Sequence, residues 1–257
     1  MFNSSGALLS PDLLAAFILL ATRFGALLLM SPPVGGGAVP APVRVAVVVA
    51  LAACFSPLVP PPAHGWDLWH IVSALAVEVA LGATMALGLN LAFGAFAVGA
   101  RILDTQIGFG IGQVFNPLTR QQTPILTGVF AQLALVLFFT SDAPDGVLRG
   151  VVLSIQAYPP GSTWSLDSAF MPVVGQVAGL FALGFAMVAP VVFCLLLVEM
   201  GLGVISRSLP QMNMFAMGIP IKVVVGLTAL AVWTAGSLGL MLRTHAAVFR
   251  GWEAMFR

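Results

Sequence analysis

Three charged side chains, Arg23, Glu78 and Glu199, lie inside runs that are otherwise apolar. A charge at bilayer depth is costly and normally faces protein or water. Two chemistries suit such groups: a path for protons or ions, or a structural pair between helices. Relays usually string several ionisable groups together, yet no second carboxylate sits one helical turn from Glu78 or Glu199. The pattern favours structural pairing, or snorkelling to the membrane interface. The histidines, His64, His70 and His245, lie far apart in the chain. No HExxH, GxSxG or paired-carboxylate motif occurs. Cys54 and Cys194 both fall in apolar runs and read as small buried hydrophobes. No catalytic residue, metal ligand or cofactor is expected.

The most unusual stretch is Ile107, Gly108, Phe109, Gly110, Ile111, Gly112, Gln113, Val114, Phe115, Asn116 and Pro117. Its glycines alternate with large apolar residues. A phosphate cradle is a poor reading, because no Lys-Ser/Thr pair follows and no βαβ context surrounds it. A flexible connecting loop is one alternative. The other is an apolar loop packed inside a cavity, since irregular backbone at membrane depth is tolerated where protein encloses it. Glycine permits close packing and unusual dihedrals. A hydrophobic, deformable plug fits these residues better than a solvated loop.

A second segment, Arg207 to Lys222, joins the last two apolar runs. It holds Pro210, Gln211, Met212, Asn213, Met214, Phe215, Gly218 and Pro220. Pro210 ends the preceding helix, and Pro220 is expected in the first turn of the next. The two runs should form a hairpin with a tight tip. Met212, Met214 and Met217 give that tip an adaptable apolar surface, with Arg207 and Lys222 on its flanks. It reads either as an ordinary loop or as a docking surface for a partner.

The elements that carry these segments are long and apolar. Runs of about 20 residues span a bilayer as helix. Six are expected, over about 6–30, 43–58, 68–103, 124–140, 173–205 and 219–242. The first reads as a retained helix and not as a cleavable signal, for want of a basic n-region. The third is too long for one perpendicular span: about 35 helical residues cover roughly 50 Å, against a core of about 30 Å. Small-residue pairs at helix-packing spacing occur at Gly175/Gly179, Ala95/Gly99 and Ala235/Gly239. Tryptophans and aspartates mark the second and fourth loops as outer ones, while arginines crowd the odd-numbered loops. With six spans, the basic tail with Arg243, Arg250 and Arg257 then falls outside, against the same rule.

Composition agrees with this layout. Of 257 residues, 60% are hydrophobic and 7% charged, where about 25% charged is usual for soluble domains. Ten basic and nine acidic residues cannot solvate a globule of this size, and a net charge of +1 offers no footprint for nucleic acid. The expected fold is an all-α membrane protein of about six long, partly kinked helices packed as hairpins, in contact with the lipid bilayer.

The stretch Pro210–Lys222, PQMNMFAMGIPIK, resembles the signature of the FliR family of type III export-gate proteins. Leu197–Arg207 is similar to the family's approach helix, and Glu78 with Gly82 and Gly88 resembles its Glu-x3-Gly stretch. Ser31-Pro-Pro and Val39-Pro with Arg44 match its early loop. Gly218 and Pro220 favour the flagellar branch over the virulence-associated SctT group, although Met212 and Met214 replace the commoner Leu and Val. The resemblance implies a FliP-like part over 1–185 and a FliQ-like hairpin over 186–257, with its tip at about 207–217. It implies assembly with FliP and FliQ, docking of FlhB, and passage of unfolded flagellar export substrates. It also implies a bacterial inner-membrane location at the flagellar basal body, and places the family's pore-closing loop at about 104–123, over Ile107 to Pro117. The function expected is a structural and gating subunit of a protein-export channel, not an enzyme. The competing expectation is a small-molecule or proton-coupled transporter, motivated by Arg23, Glu78 and Glu199 and by the proline-broken spans.

Overall fold

The computed structural model describes residues 11–37, 39–60, 68–109, 124–208 and 214–256. Among the described residues the only regular secondary structure is helix, without strands, as the composition demands. The helices are α1 (Pro11–Leu29), the short α2 (Pro32–Gly35), α3 (Ala41–Phe55), α4 (Leu68–Ile107), α5 (Ile125–Thr140), α6 (Ala143–Ala157), α7 (Leu166–Ser208) and α8 (Met214–Phe256). Five are long and apolar enough to cross a membrane, and α5 and α6, joined at a 70° bend, meet the same measure only when taken together. The bend falls at Ser141–Asp142. Proline lacks the N–H that a helix interior needs, so Pro144 sits where that donor is not used, in the first turn of α6.

Several boundaries differ from the sequence expectation. The fourth loop expected between the runs 124–140 and 173–205 is mostly helix: it holds α6 and the first turns of α7. The basic tail is no tail either, since α8 runs 43 residues to Phe256. Pro220 lies inside α8 and not in its first turn. Met and Ala are good helix formers, so the helix starts upstream of the proline and carries it on an exposed face. Cys54 is exposed and Cys194 only partly buried. An apolar helix in lipid has no need to hide a thiol from water.

The chain packs as two compact units. One takes Met1–Leu91, Asp142–Gln176 and Val248–Arg257; the other takes Ala92–Ser141 and Val177–Ala247. In lipid there is little hydrophobic drive between helices, so close packing holds them. In the first unit, α1 packs on α3, with Phe24 edge-on to Phe55 at 5.8 Å. A Cβ on Gly82 would strike the Arg23 backbone and Ala26, which is how closely α4 crosses α1. Gly146 and Gly150 of α6 lie under the rings of Phe249 and Trp252. In the second unit, Ala95 and Gly99 cross Gly184: a Cβ on Gly99 would lie 2.8 Å from the Gly184 carbonyl oxygen. The Ala95/Gly99 spacing thus marks a real crossing. Gly175, Gly179 and Gly239 meet nothing within 4 Å among the described residues, so those spacings pack no helix described here. Outward faces are strongly apolar. Val43, Val45, Val47 and Val49 of α3 are exposed, and only 11% of the most apolar window of Ala216–Phe256 is buried.

The path of the chain bears on the charge conflict. In the first unit, Gly161 and Trp164 line one cavity with Asp12 and His70, and Tyr158 meets Phe256 at 6.3 Å. The ends of α6 and α8 therefore lie beside the beginnings of α1 and α4. The basic end of α8, with Arg250, thus shares a side of the first unit with the loop that follows α6.

Candidate functional site

Arg23 and Glu78 are 1% and 0% exposed and form an ion pair across α1 and α4. The Arg23 Nε donates to Glu78 Oε2 at 2.5 Å and Nη2 donates to Oε1 at 3.1 Å, a two-pronged match of fork to carboxylate. The remaining guanidinium donors are also used. Nη1 reaches the Ser154 carbonyl at 3.1 Å and its hydroxyl at 3.3 Å, and Nη2 reaches the Tyr158 carbonyl at 2.8 Å. The Gly161 N–H donates to Glu78 Oε1 at 3.2 Å. Two helices, the end of α6 and the loop before α7 are thus tied at one point. A charge so fully matched is a clamp, and it offers no vacancy for a passing ion. Arg44 does similar work on a smaller scale, donating to Val39 O at 2.7 Å and Gly35 O at 3.3 Å to close the turn between α2 and α3.

The Gly-rich segment starts from a fixed base in the second unit. Ile107 is fully buried among Leu103, Leu126 and Leu195. Gly226 of α8 allows this: a Cβ there would lie 2.7 Å from Ile107 Cγ1 and 3.2 Å from Leu195. Gly108 then takes φ +100°, which only glycine adopts cheaply, and ends α4. The far end is held by Asp104. Its Oδ1 accepts from the Leu126 N–H at 2.9 Å, and its Oδ2 accepts from the Thr127 N–H at 3.0 Å and hydroxyl at 2.9 Å. These are first-turn donors of α5 that have no partner within the helix. One carboxylate therefore caps α5 and pins it to α4. Phe109 packs partly buried against the same core. Gly110, Ile111, Gly112, Val114, Phe115, Asn116 and Pro117 lie outside the described residues.

The second candidate segment sits on an antiparallel hairpin of α7 and α8. Lys222 pairs with Glu199, Gly218 faces Leu202, Gly226 faces Leu195, and the Trp233 indole donates to the Met187 carbonyl at 2.7 Å. Each step up one helix is a step down the other, so the register is continuous. The Lys222–Glu199 pair is partly exposed, at 24% and 38%. It is a weak bond compared with Arg23–Glu78. Arg207 is exposed in the last turn of α7, Met214 and Phe215 open α8, and Pro210, Gln211, Met212 and Asn213 lie outside the described residues.

All three intramembrane charges are thus paired, with partners 55 and 23 residues away in sequence. Three features escaped sequence reading. Asp104 gave no signal beyond its place at a loop boundary. Ser154, Tyr158 and Gly161 contribute mainly backbone groups to the Arg23–Glu78 clamp. His245 is buried with its ring about 5.7–5.8 Å from those of Phe93, Phe96 and Phe138, and neither ring nitrogen has a partner among the described residues. His64 lies outside the described residues. No group of three or more metal-ligating side chains occurs among the described residues.

Comparison with known proteins gives this arrangement its context. Residues 14–247 match the family described as Bacterial export proteins, family 1. The chain is 30% identical over 231 residues to the flagellar biosynthetic protein FliR of Bacillus subtilis, covering 86% of each chain. It is 25% identical over 213 residues to FliR of Escherichia coli, covering 81% of this chain and 80% of that one. It is 25% identical over 250 residues to the Yop proteins translocation protein T of Yersinia pestis, covering 93% of this chain and 87% of that one. A multi-pass helical chain matched to these proteins along most of its length belongs to family 1 of the bacterial export proteins, the FliR/SctT group of type III export-apparatus components.

Proposed function

We propose that this chain is a structural and gating subunit of the flagellar type III export channel in the bacterial inner membrane, assembled with FliP-like and FliQ-like subunits and contacted by FlhB. Unfolded flagellar substrates pass through a pore that it helps to line. Residues 107–117 close that pore at rest. The observation that carries this reading is the base of the loop. Asp104 holds the start of α5 against the end of α4, while Ile107 anchors the entry in a packed apolar core. A loop closed at its stem can be displaced and can return without unravelling its supports. The reading also takes residues 1–185 as FliP-like and 186–257 as FliQ-like. Arg207, Pro210 to Phe215, Gly218, Pro220 and Lys222 form the partner-docking tip of the hairpin.

The family match favours the flagellar and secretion role over a small-molecule transporter. Of the charges that motivated a transporter, Arg23 and Glu78 are occupied with each other and Glu199 with Lys222. The test is deletion of 110–117, leaving the Ile107 anchor and Asp104 clamp intact, in the assembled complex reconstituted in a planar bilayer. The deletion is expected to open a steady ion leak. A conductance unchanged from the intact complex refutes the closing role.

A further inference from the structure

One cavity in the first unit is used by nothing described above. It has a volume of about 260 Å³ and lies between the beginnings of α1 and α4 and the loop at 161–164. Its lining changes character with depth. Asp12, His70 and Ser73 stand at the ends where α1 and α4 enter the membrane. Ile18, Leu19, Leu75 and Val77 line it farther in. Asp12 to Leu19 and His70 to Val77 are each seven residue steps, so the apolar lining reaches roughly 10 Å along the helices from the polar mouth. Trp69 is 76% exposed next to His70, and Trp164 lines the cavity itself. Tryptophans mark headgroup level. Two of its lining residues carry buried donors without partners among the described residues: the Ser162 hydroxyl and the Trp164 indole N–H. The loop that carries them is held by the Gly161 N–H bonded to Glu78.

We propose that this cavity binds one phospholipid bearing a primary ammonium headgroup, of the phosphatidylethanolamine class. The apolar wall takes the start of an acyl chain. Ser162 and Trp164 donate to phosphate or ester oxygens, which are acceptors only. Asp12, the carboxylate at the mouth, receives the ammonium, whose three N–H donors suit it. Among the described residues no Lys or Arg lines the cavity, so an anionic lipid would bring its charge toward Asp12. A quaternary ammonium has no N–H to donate.

The test uses the full chain with the subunits that copurify with it in mild detergent, stripped of lipid. It is then equilibrated with equal amounts of dioleoyl phosphatidylethanolamine, phosphatidylcholine and phosphatidylglycerol. Native mass spectrometry reads the retained lipid. One ethanolamine lipid per chain is expected, preferred about tenfold or more over the other two, the size of one charge-assisted hydrogen bond. Asp12→Asn, an exposed polar exchange, is expected to erase that preference. Ala74→Phe, which fills the cavity, is expected to lower retention of all three. Equal retention of the choline or glycerol lipid by the unaltered chain overturns the assignment, as does ethanolamine retention that neither variant changes.

Discussion

Removing the Glu78 carboxylate is the most demanding test of the packing described here. In Glu78→Ala, the Arg23 guanidinium loses both carboxylate contacts, at 2.5 and 3.1 Å, and the Gly161 N–H loses its acceptor. Arg23 keeps the Ser154 and Tyr158 carbonyls, but its charge is left uncompensated at 1% exposure. Breaking a buried pair in this way costs about 3–5 kcal/mol. For a chain of this size each kcal/mol moves the melting point by about 2–4 °C, so a fall of roughly 6–20 °C is expected. Thermal unfolding in mild detergent, followed by tryptophan fluorescence, reads it. Glu78→Gln keeps one carbonyl oxygen, which can accept from both the Gly161 N–H and Arg23 Nη2, and should lose less. The double variant Arg23→Leu with Glu78→Leu removes the stranded charge but leaves the Ser154 and Tyr158 carbonyls without their donor, so it should fall between. A Glu78→Ala melting point within about 2 °C of the unaltered chain refutes the clamp, because a buried unpaired arginine cannot be that cheap.

Three further outcomes follow from the geometry. Asp104→Ala removes three bonds to the first turn of α5 and should cost about 1–2 kcal/mol, as loss of a helix cap does. Hydrogen exchange at Leu126 and Thr127 should accelerate, and Asp104→Asn should recover part of the protection. Gly226→Val places side-chain atoms on Ile107 and Leu195 and should lower stability by about 1–3 kcal/mol; unchanged melting would show that α4 and α8 do not meet there. Lys222→Glu sets two carboxylates side by side and should lower the melting point, with recovery on adding Glu199→Lys, which restores the pair in reverse.

Much of the fold was legible in the sequence because a bilayer is a strict solvent. It demands long apolar helices whose backbone groups bond internally, and composition reports that directly. The overlong third run is an unbroken 40-residue helix. The Ala95/Gly99 spacing marked a true crossing. The helix ends were harder. Pro220 looked like a start signal, but a proline inside an apolar helix costs only its own donor and a local clash. The run after Leu242 looked like a tail because arginines interrupt it, yet it buries Thr244, His245, Val248 and Trp252 in helix.

The candidate sites divide in the same way. Residue type alone marked Arg23, Glu78 and Glu199 as groups needing partners, since desolvating a charge is costly whatever the fold. Which partners they take depended on bringing together residues 55 and 23 positions apart, and local spacing carries no trace of that. Glycine–apolar alternation singled out the segment after Ile107 from composition alone. Its anchoring by Asp104, and the space that Gly226 leaves for Ile107, arise only when α4, α5 and α8 pack. Sequence by itself determined the solvent, the helices and the need for pairing, because those follow from each residue's own transfer energy. The tertiary structure decided which groups meet, because a hydrogen bond or a missing Cβ acts over a few ångströms and is settled by how the helices cross.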